Sequence, residues 1–97
     1  MSYVVLPAAE QELASALEFY RQRGGRALAE AFVSEFERLA KLLVSNPHLG
    51  TPAAKGLRVH PLRRFPYSIV YRVASERIEV LVVGHHHRRP RYWRGRA

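Results

Sequence analysis

The chain has 97 residues, 47% of them hydrophobic, no cysteine, and 16 Lys/Arg against 8 Asp/Glu for a formal net charge of +8. That length suits one domain, since smaller pieces would not bury a stable core, and the absence of cysteine excludes disulfides, thiolate metal sites and a cysteine nucleophile. No apolar run approaches the roughly 18 residues of a membrane span and no basic start leads into an apolar stretch, so a cytoplasmic protein with no membrane partner is expected.

Tyr3-Val4-Val5-Leu6 is a short apolar run rich in β-branched residues. It reads as a first strand, ended by Pro7, which fits the first turn of a helix. Leu13, Ala16, Leu17 and Tyr20 then recur at three- and four-residue spacing, with Glu10 and Glu12 in the first turn, where the helix dipole favours negative charge. This predicts a helix from about Ala8 to Arg23. Gly24-Gly25 interrupts it and permits a tight reversal. Leu28, Phe32, Phe36, Leu39 and Leu43 mark a second helix, stopped at Ser45-Asn46-Pro47 because the residue before proline is pushed out of helical geometry. The two helices form an antiparallel hairpin. All six glutamates of this half read as solvent-facing charge.

His48 to Gly56 reads as a connecting loop. Beyond it the period changes to two: Leu57 and Val59 alternate with Arg58 and His60, and Pro61 and Pro66 bracket a basic bend, Leu62-Arg63-Arg64-Phe65. Tyr67, Ile69, Tyr71 and Val73 lie on one strand face, with Ser68, Val70 and Arg72 on the other. Ala74 to Arg77 is a hairpin turn, and Ile78 to His85, apolar on both sides, is a central strand. The expected fold is α+β in the order β-α-α-β-β-β, a helical hairpin on one face of a small, mostly antiparallel four-stranded sheet, with the other face left for a ligand.

The charge is uneven: residues 1–54 hold five Lys/Arg against six Glu, a net of −1, while residues 55–97 hold eleven against two, a net of +9. Such a field favours polyanionic partners and speeds encounter without choosing among them. It culminates in residues 85–96, with five arginines, three histidines, Tyr92 and Trp93 directly after the last strand. Candidate target-binding residues are Lys55, Arg58, Arg63, Arg64, Arg88, Arg89, Arg91 and Trp93, with Arg72 beside them. The planar guanidinium fork suits phosphate, and Phe65, Tyr92 or Trp93 offers a ring to an unpaired base. The bland alternative is a solvated charged face.

Successive strand residues point to opposite faces, so of the histidine triplet only His85 and His87 share a side, and no Asp exists to complete a metal site. No metal or cofactor is expected. His86 is a candidate for proton transfer near neutral pH, and Tyr92 for a general base in RNA cleavage, against the alternative that Tyr92 is a ring anchoring the chain end.

FPYSIVYRV (65–73) and IEVLVVGHHHRRPRYW (78–93), preceded by NPHLG (46–50) and GLR (56–58), resemble the RelE/ParE superfamily of toxins from bacterial type II toxin–antitoxin pairs. The likeness spans nearly the whole chain. It implies a growth-inhibiting toxin neutralised by a cognate antitoxin. RelE-like members cut messenger RNA on the ribosome, whereas ParE-like members inhibit DNA gyrase. By resemblance, the arginine that nucleases carry at the start of the penultimate strand falls on Ser68, their histidine or arginine position on His86, and their tyrosine on Tyr92. The His85, Arg88, Pro90, Tyr92, Trp93 pattern is commoner in proteins of the ParE-like or plasmid-stabilisation kind. The expected function is therefore a ParE-like action on gyrase. The alternatives are a ribosome-dependent endoribonuclease using His86 and Tyr92, and a non-toxic RNA-binding homologue.

Overall fold

The computed structural model describes residues 1–87 and 92–96. Five strands make one sheet: β1 (Ser2–Val5), β2 (Thr51–Pro52), β3 (Arg58–Pro61), β4 (Tyr67–Ala74) and β5 (Arg77–His85), in the spatial order β1-β5-β4-β3-β2. β1 runs parallel to β5 and every other pair is antiparallel. The expected four strands become five because Thr51–Pro52, inside the segment read as a loop, pairs with Arg58 and Val59. Two residues, one of them proline, give no periodicity to read, and proline is tolerated there because the strand is at the edge.

The helical segment α1 (Pro7–Ser45) begins with proline at its first position, and Glu10 N–H donates back to Leu6 C=O at 2.9 Å. It is broken at Gly24 and Gly25. Gly25 takes φ +70° with ψ −163°, a region that only glycine enters without strain. The rings of Tyr20 and Phe32 consequently lie 5.2 Å apart, where twelve residues of straight helix would separate them by roughly 18 Å. The two arms fold back on each other, as the glycine pair predicts.

The hairpin covers one face of the sheet. Phe32, Phe36, Leu39 and Leu43 from α1 meet Ile69 and Tyr71 of β4, Ile78, Val80 and Val83 of β5, and Leu62 and Phe65 of the bend. β5 is apolar on both faces for an added reason. Val70 pairs with Val82 but Tyr71 with Val80, so Leu81 is an extra residue. This β-bulge shifts the alternation. Leu81 and Val82 therefore both join the opposite face, while Val83 returns to the helices.

That opposite face is not left bare, contrary to expectation. Leu57, Val70, Leu81 and Val82 form a second cluster, covered by Leu6, Ala53, Val59, Tyr92 and Trp93. The chain end thus folds back over the sheet and supplies two of the covering rings.

Candidate functional site

The loop 46–50 is held from the sheet. Tyr71 donates its hydroxyl to Pro47 C=O at 2.8 Å and accepts the Gly50 N–H at 2.9 Å. Arg58 Nη1 donates to His48 C=O at 3.0 Å and Gly50 C=O at 2.8 Å. The guanidinium of this candidate target-binding residue is engaged by backbone in the free protein. Lys55 is exposed in a 3₁₀ turn (Ala54–Gly56) before β3, with φ +60°. Arg72 pairs with Glu79 at 2.6 Å, and Arg77 pairs with the same carboxylate at 2.8 Å. Lys55 precedes β3 and Arg58 opens it, whereas the bend that carries Arg63 and Arg64 follows its other end.

That bend is built onto the core. Leu62 and Phe65 are buried anchors, and Phe65 meets Tyr20 at 5.0 Å and Phe32 at 5.1 Å. Arg63 N–H donates to Glu35 Oε2 at 2.6 Å, while the same carboxylate takes two bonds from Arg38. These donors, Arg38 foremost, hold the Glu35 carboxyl below its usual range against the opposing effect of burial. Between the anchors, Arg63 and Arg64 point to solvent, with Arg64 over the Phe65 ring at 5.3 Å and at φ +72°.

The histidine triplet lies beside the bend, since His86 N–H donates to Pro66 C=O at 2.8 Å. His85 faces the helices and packs edge-on against Tyr67 at 4.9 Å. Burial first, then the neighbouring His87 and His86, push its pKa down, so it is neutral at pH 7. His86 Nε2 lies 2.9 Å from Ser68 Oγ. Among the described residues no cluster of three or more His, Cys, Asp or Glu can hold a metal ion. Arg88, Arg89 and Arg91 lie outside the described residues.

Tyr92 and Arg96 lead to the feature that sequence reasoning missed. β1 pairs with β5 only as far as Val80, leaving the next stretch of that edge unpaired. Glu12, from the first arm of α1, fills the gap: its carboxylate accepts Val83 N–H at 3.1 Å, Tyr92 O–H at 2.6 Å and both Arg96 Nη groups at 2.8 and 3.0 Å. Arg96 also donates to Leu81 C=O at 3.3 Å. Burial opposes the charge of Glu12, yet the bonds from Arg96, Tyr92 and Val83 outweigh it and hold the carboxyl below its ordinary value. Glu12 and Glu35 are therefore structural acids rather than the solvated charge expected of them. The role of Glu12 leaves no local signal, because its partners are 71 to 84 residues away, whereas Glu35 pairs locally with Arg38 and only its bond from the Arg63 N–H is long-range. Between this latch and His85 runs a shallow groove, with Ser15, Phe19 and Tyr67 along its walls.

The described residues include no helix long and apolar enough to cross a membrane. A sequence profile for the ParE toxin of the type II toxin–antitoxin system parDE matches residues 3–90. The chain belongs to the ParE toxin family. The fold of this ParE-family chain is similar to that of a chain in the chromosomal ParDE toxin–antitoxin system from P. aeruginosa, at 27% identity and a TM-score of 0.76 over 88% of this chain and 95% of that one. No curated protein sequence matches it. The match takes in every strand, β1 from Tyr3 onward, and the helical hairpin.

Proposed function

We propose that this ParE-family toxin inhibits growth by acting on DNA gyrase in the cytoplasm, and that a cognate antitoxin neutralises it. The observation that carries this reading is the Ser68–His86 pair. The superfamily's nucleases bring an arginine and a basic residue together at these two positions; here a neutral hydroxyl stands 2.9 Å from the imidazole. A phosphate undergoing cleavage needs positive charge directed at its developing anion, and Ser68 supplies none. Tyr92, the remaining nuclease position, has its proton directed at Glu12 and Arg96 beneath its ring at 5.4 Å, a structural use of the phenol.

Two assays run side by side test the reading. Purified toxin is expected to inhibit supercoiling by gyrase and to leave messenger RNA on the ribosome uncut. Undiminished supercoiling at saturating toxin would overturn it, and new 5′ ends at ribosomal A-site codons would replace it with the nuclease reading. Growth unaffected by expression would favour a non-toxic RNA-binding homologue. The antitoxin is tested separately. A net of +9 on residues 55–97 favours an acidic segment, so the product of the adjacent gene should co-purify at low salt.

A further inference from the structure

The arginines of this chain fall into two groups. Among those whose side chains are described, Arg21, Arg38, Arg72, Arg77 and Arg96 are bonded to glutamates and Arg58 to backbone carbonyls. The four others, Arg23, Arg26, Arg63 and Arg64, make no hydrogen bond through their guanidinium groups to a described residue, and all four are exposed. They share one end of the molecule. Tyr20 and Phe32 both pack on Phe65, so the hairpin tip between them, carrying Arg23 and Arg26, sits next to the bend carrying Arg63 and Arg64.

We propose that this end, formed by the helical hairpin tip and the bend 61–66, docks on the phosphate backbone of duplex DNA, with Arg23, Arg26, Arg63 and Arg64 as the phosphate-contacting groups. The choice of DNA rests on the gyrase reading, since that enzyme works on a bound duplex. Three observations support a phosphate surface. The neighbouring acids are already spent: Glu18 is held by Arg21 and Glu35 by Arg38, leaving Glu30 as the uncompensated carboxylate of the tip. The bend is fixed by two buried anchors and by the Arg63 N–H bond to Glu35, so its guanidiniums are presented from a rigid base. Arg64 also adopts φ +72°, a left-handed conformation that strains a non-glycine residue and that clusters at functional sites.

The same end disfavours an unpaired strand. Binding single strands uses exposed rings on which bases stack. Phe65 and Phe32 are buried here, and the exposed Phe19 ring is already occupied by Arg23 at 4.6 Å. Cations without a stacking platform fit a backbone whose bases are paired.

The test is fluorescence anisotropy of a labelled DNA duplex of about 25 base pairs, titrated with the full chain over a range of salt. Arg63→Gln/Arg64→Gln and Arg23→Gln/Arg26→Gln are each expected to lower the slope of log affinity against log salt by about 1 to 2, the loss of one or two phosphate contacts. Arg77→Gln, which removes an arginine engaged by Glu79 and outside the candidate target-binding set, is the control and should leave the slope unchanged. Both double variants should also inhibit supercoiling less. Absence of duplex binding, double variants that match the wild type in slope, or tighter binding to an RNA duplex than to DNA at equal salt would each overturn the proposal. Duplex binding through these arginines with gyrase unaffected would uphold the docking surface and sink the gyrase reading instead.

Discussion

Tyr92 donates its hydroxyl to the Glu12 carboxylate across 2.6 Å, tying the chain end to the first arm of the helical hairpin. Glu12 also satisfies Val83 N–H on the stretch of β5 beyond the reach of β1, so its loss strands a backbone donor as well as a phenol and a guanidinium. Hydrogen bonds to a charged group contribute about 1.5–3 kcal/mol. Glu12→Ala is expected to cost about 3 kcal/mol and Tyr92→Phe about 1.5 kcal/mol. The double variant should cost less than their sum, because the partners are shared. Urea unfolding of the four proteins measures this. Strict additivity would mean that the two groups do not act on each other.

Acidification should weaken the fold in two stages. His85 has its pKa lowered by burial and by His87 and His86, so the unfolded chain takes that proton first, near 6.5. The stability it contributes is complete above that value and is lost as pH falls toward the folded pKa. Glu12 and Glu35 are also held low, so their contribution is complete above about 4.3 and is lost as pH falls through their depressed folded values. Thermal unfolding from pH 8 to pH 3 should show both declines. His85→Gln should flatten the upper one and Glu12→Gln part of the lower. A midpoint constant across that range would contradict both assignments.

Much of this architecture is readable from local signals. Gly24-Gly25 forecasts the reversal, and the alternation of Tyr67, Ile69 and Tyr71 forecasts the face that meets the helices. What escapes is what depends on distant partners. β2 is two residues long and exists only because Arg58 and Val59 offer an edge. The bulge at Leu81 looks in sequence like an unbroken apolar run. Within the candidate site, the proximity of Arg63 and Arg64 to His86 follows from the short bend and last strand. The capture of Arg58 by two carbonyls, and of Tyr92 by Glu12, follows from side-chain reach that no spacing encodes.

Gly50 should tolerate no side chain. It is buried, and a Cβ there would lie 2.8 Å from both the Tyr71 ring and its hydroxyl, with the Arg58 Cβ at 3.1 Å. Tyr71 is itself fully buried and cannot retreat. Gly50→Ala is expected to cost about 1–3 kcal/mol through this overpacking and to loosen the hydrogen bonds that hold the loop. Gly95→Ala, whose Cβ meets nothing within 4 Å, is the control. Hydrogen exchange at the Gly50 amide, protected by Tyr71 in the wild type, should quicken in the Gly50→Ala variant. An unchanged exchange rate and midpoint would show that the loop can shift without cost.

The Ser68–His86 pair gives the sharpest separation between toxin mechanisms. Both side chains are accessible and bonded to each other at 2.9 Å, so His86→Ala removes one exposed hydrogen bond and should cost no more than about 1 kcal/mol. Under the gyrase reading, His86→Ala retains growth inhibition and gyrase inhibition within about threefold, a change of roughly 0.7 kcal/mol in binding. Under nuclease chemistry the same substitution removes a candidate proton-transfer group, and general acid–base catalysis is worth about 10²–10⁴-fold. Growth inhibition is measured at matched soluble protein, so a folding defect is not mistaken for lost activity. Loss of toxicity by two orders of magnitude in a folded His86→Ala protein would place the chemistry at this imidazole.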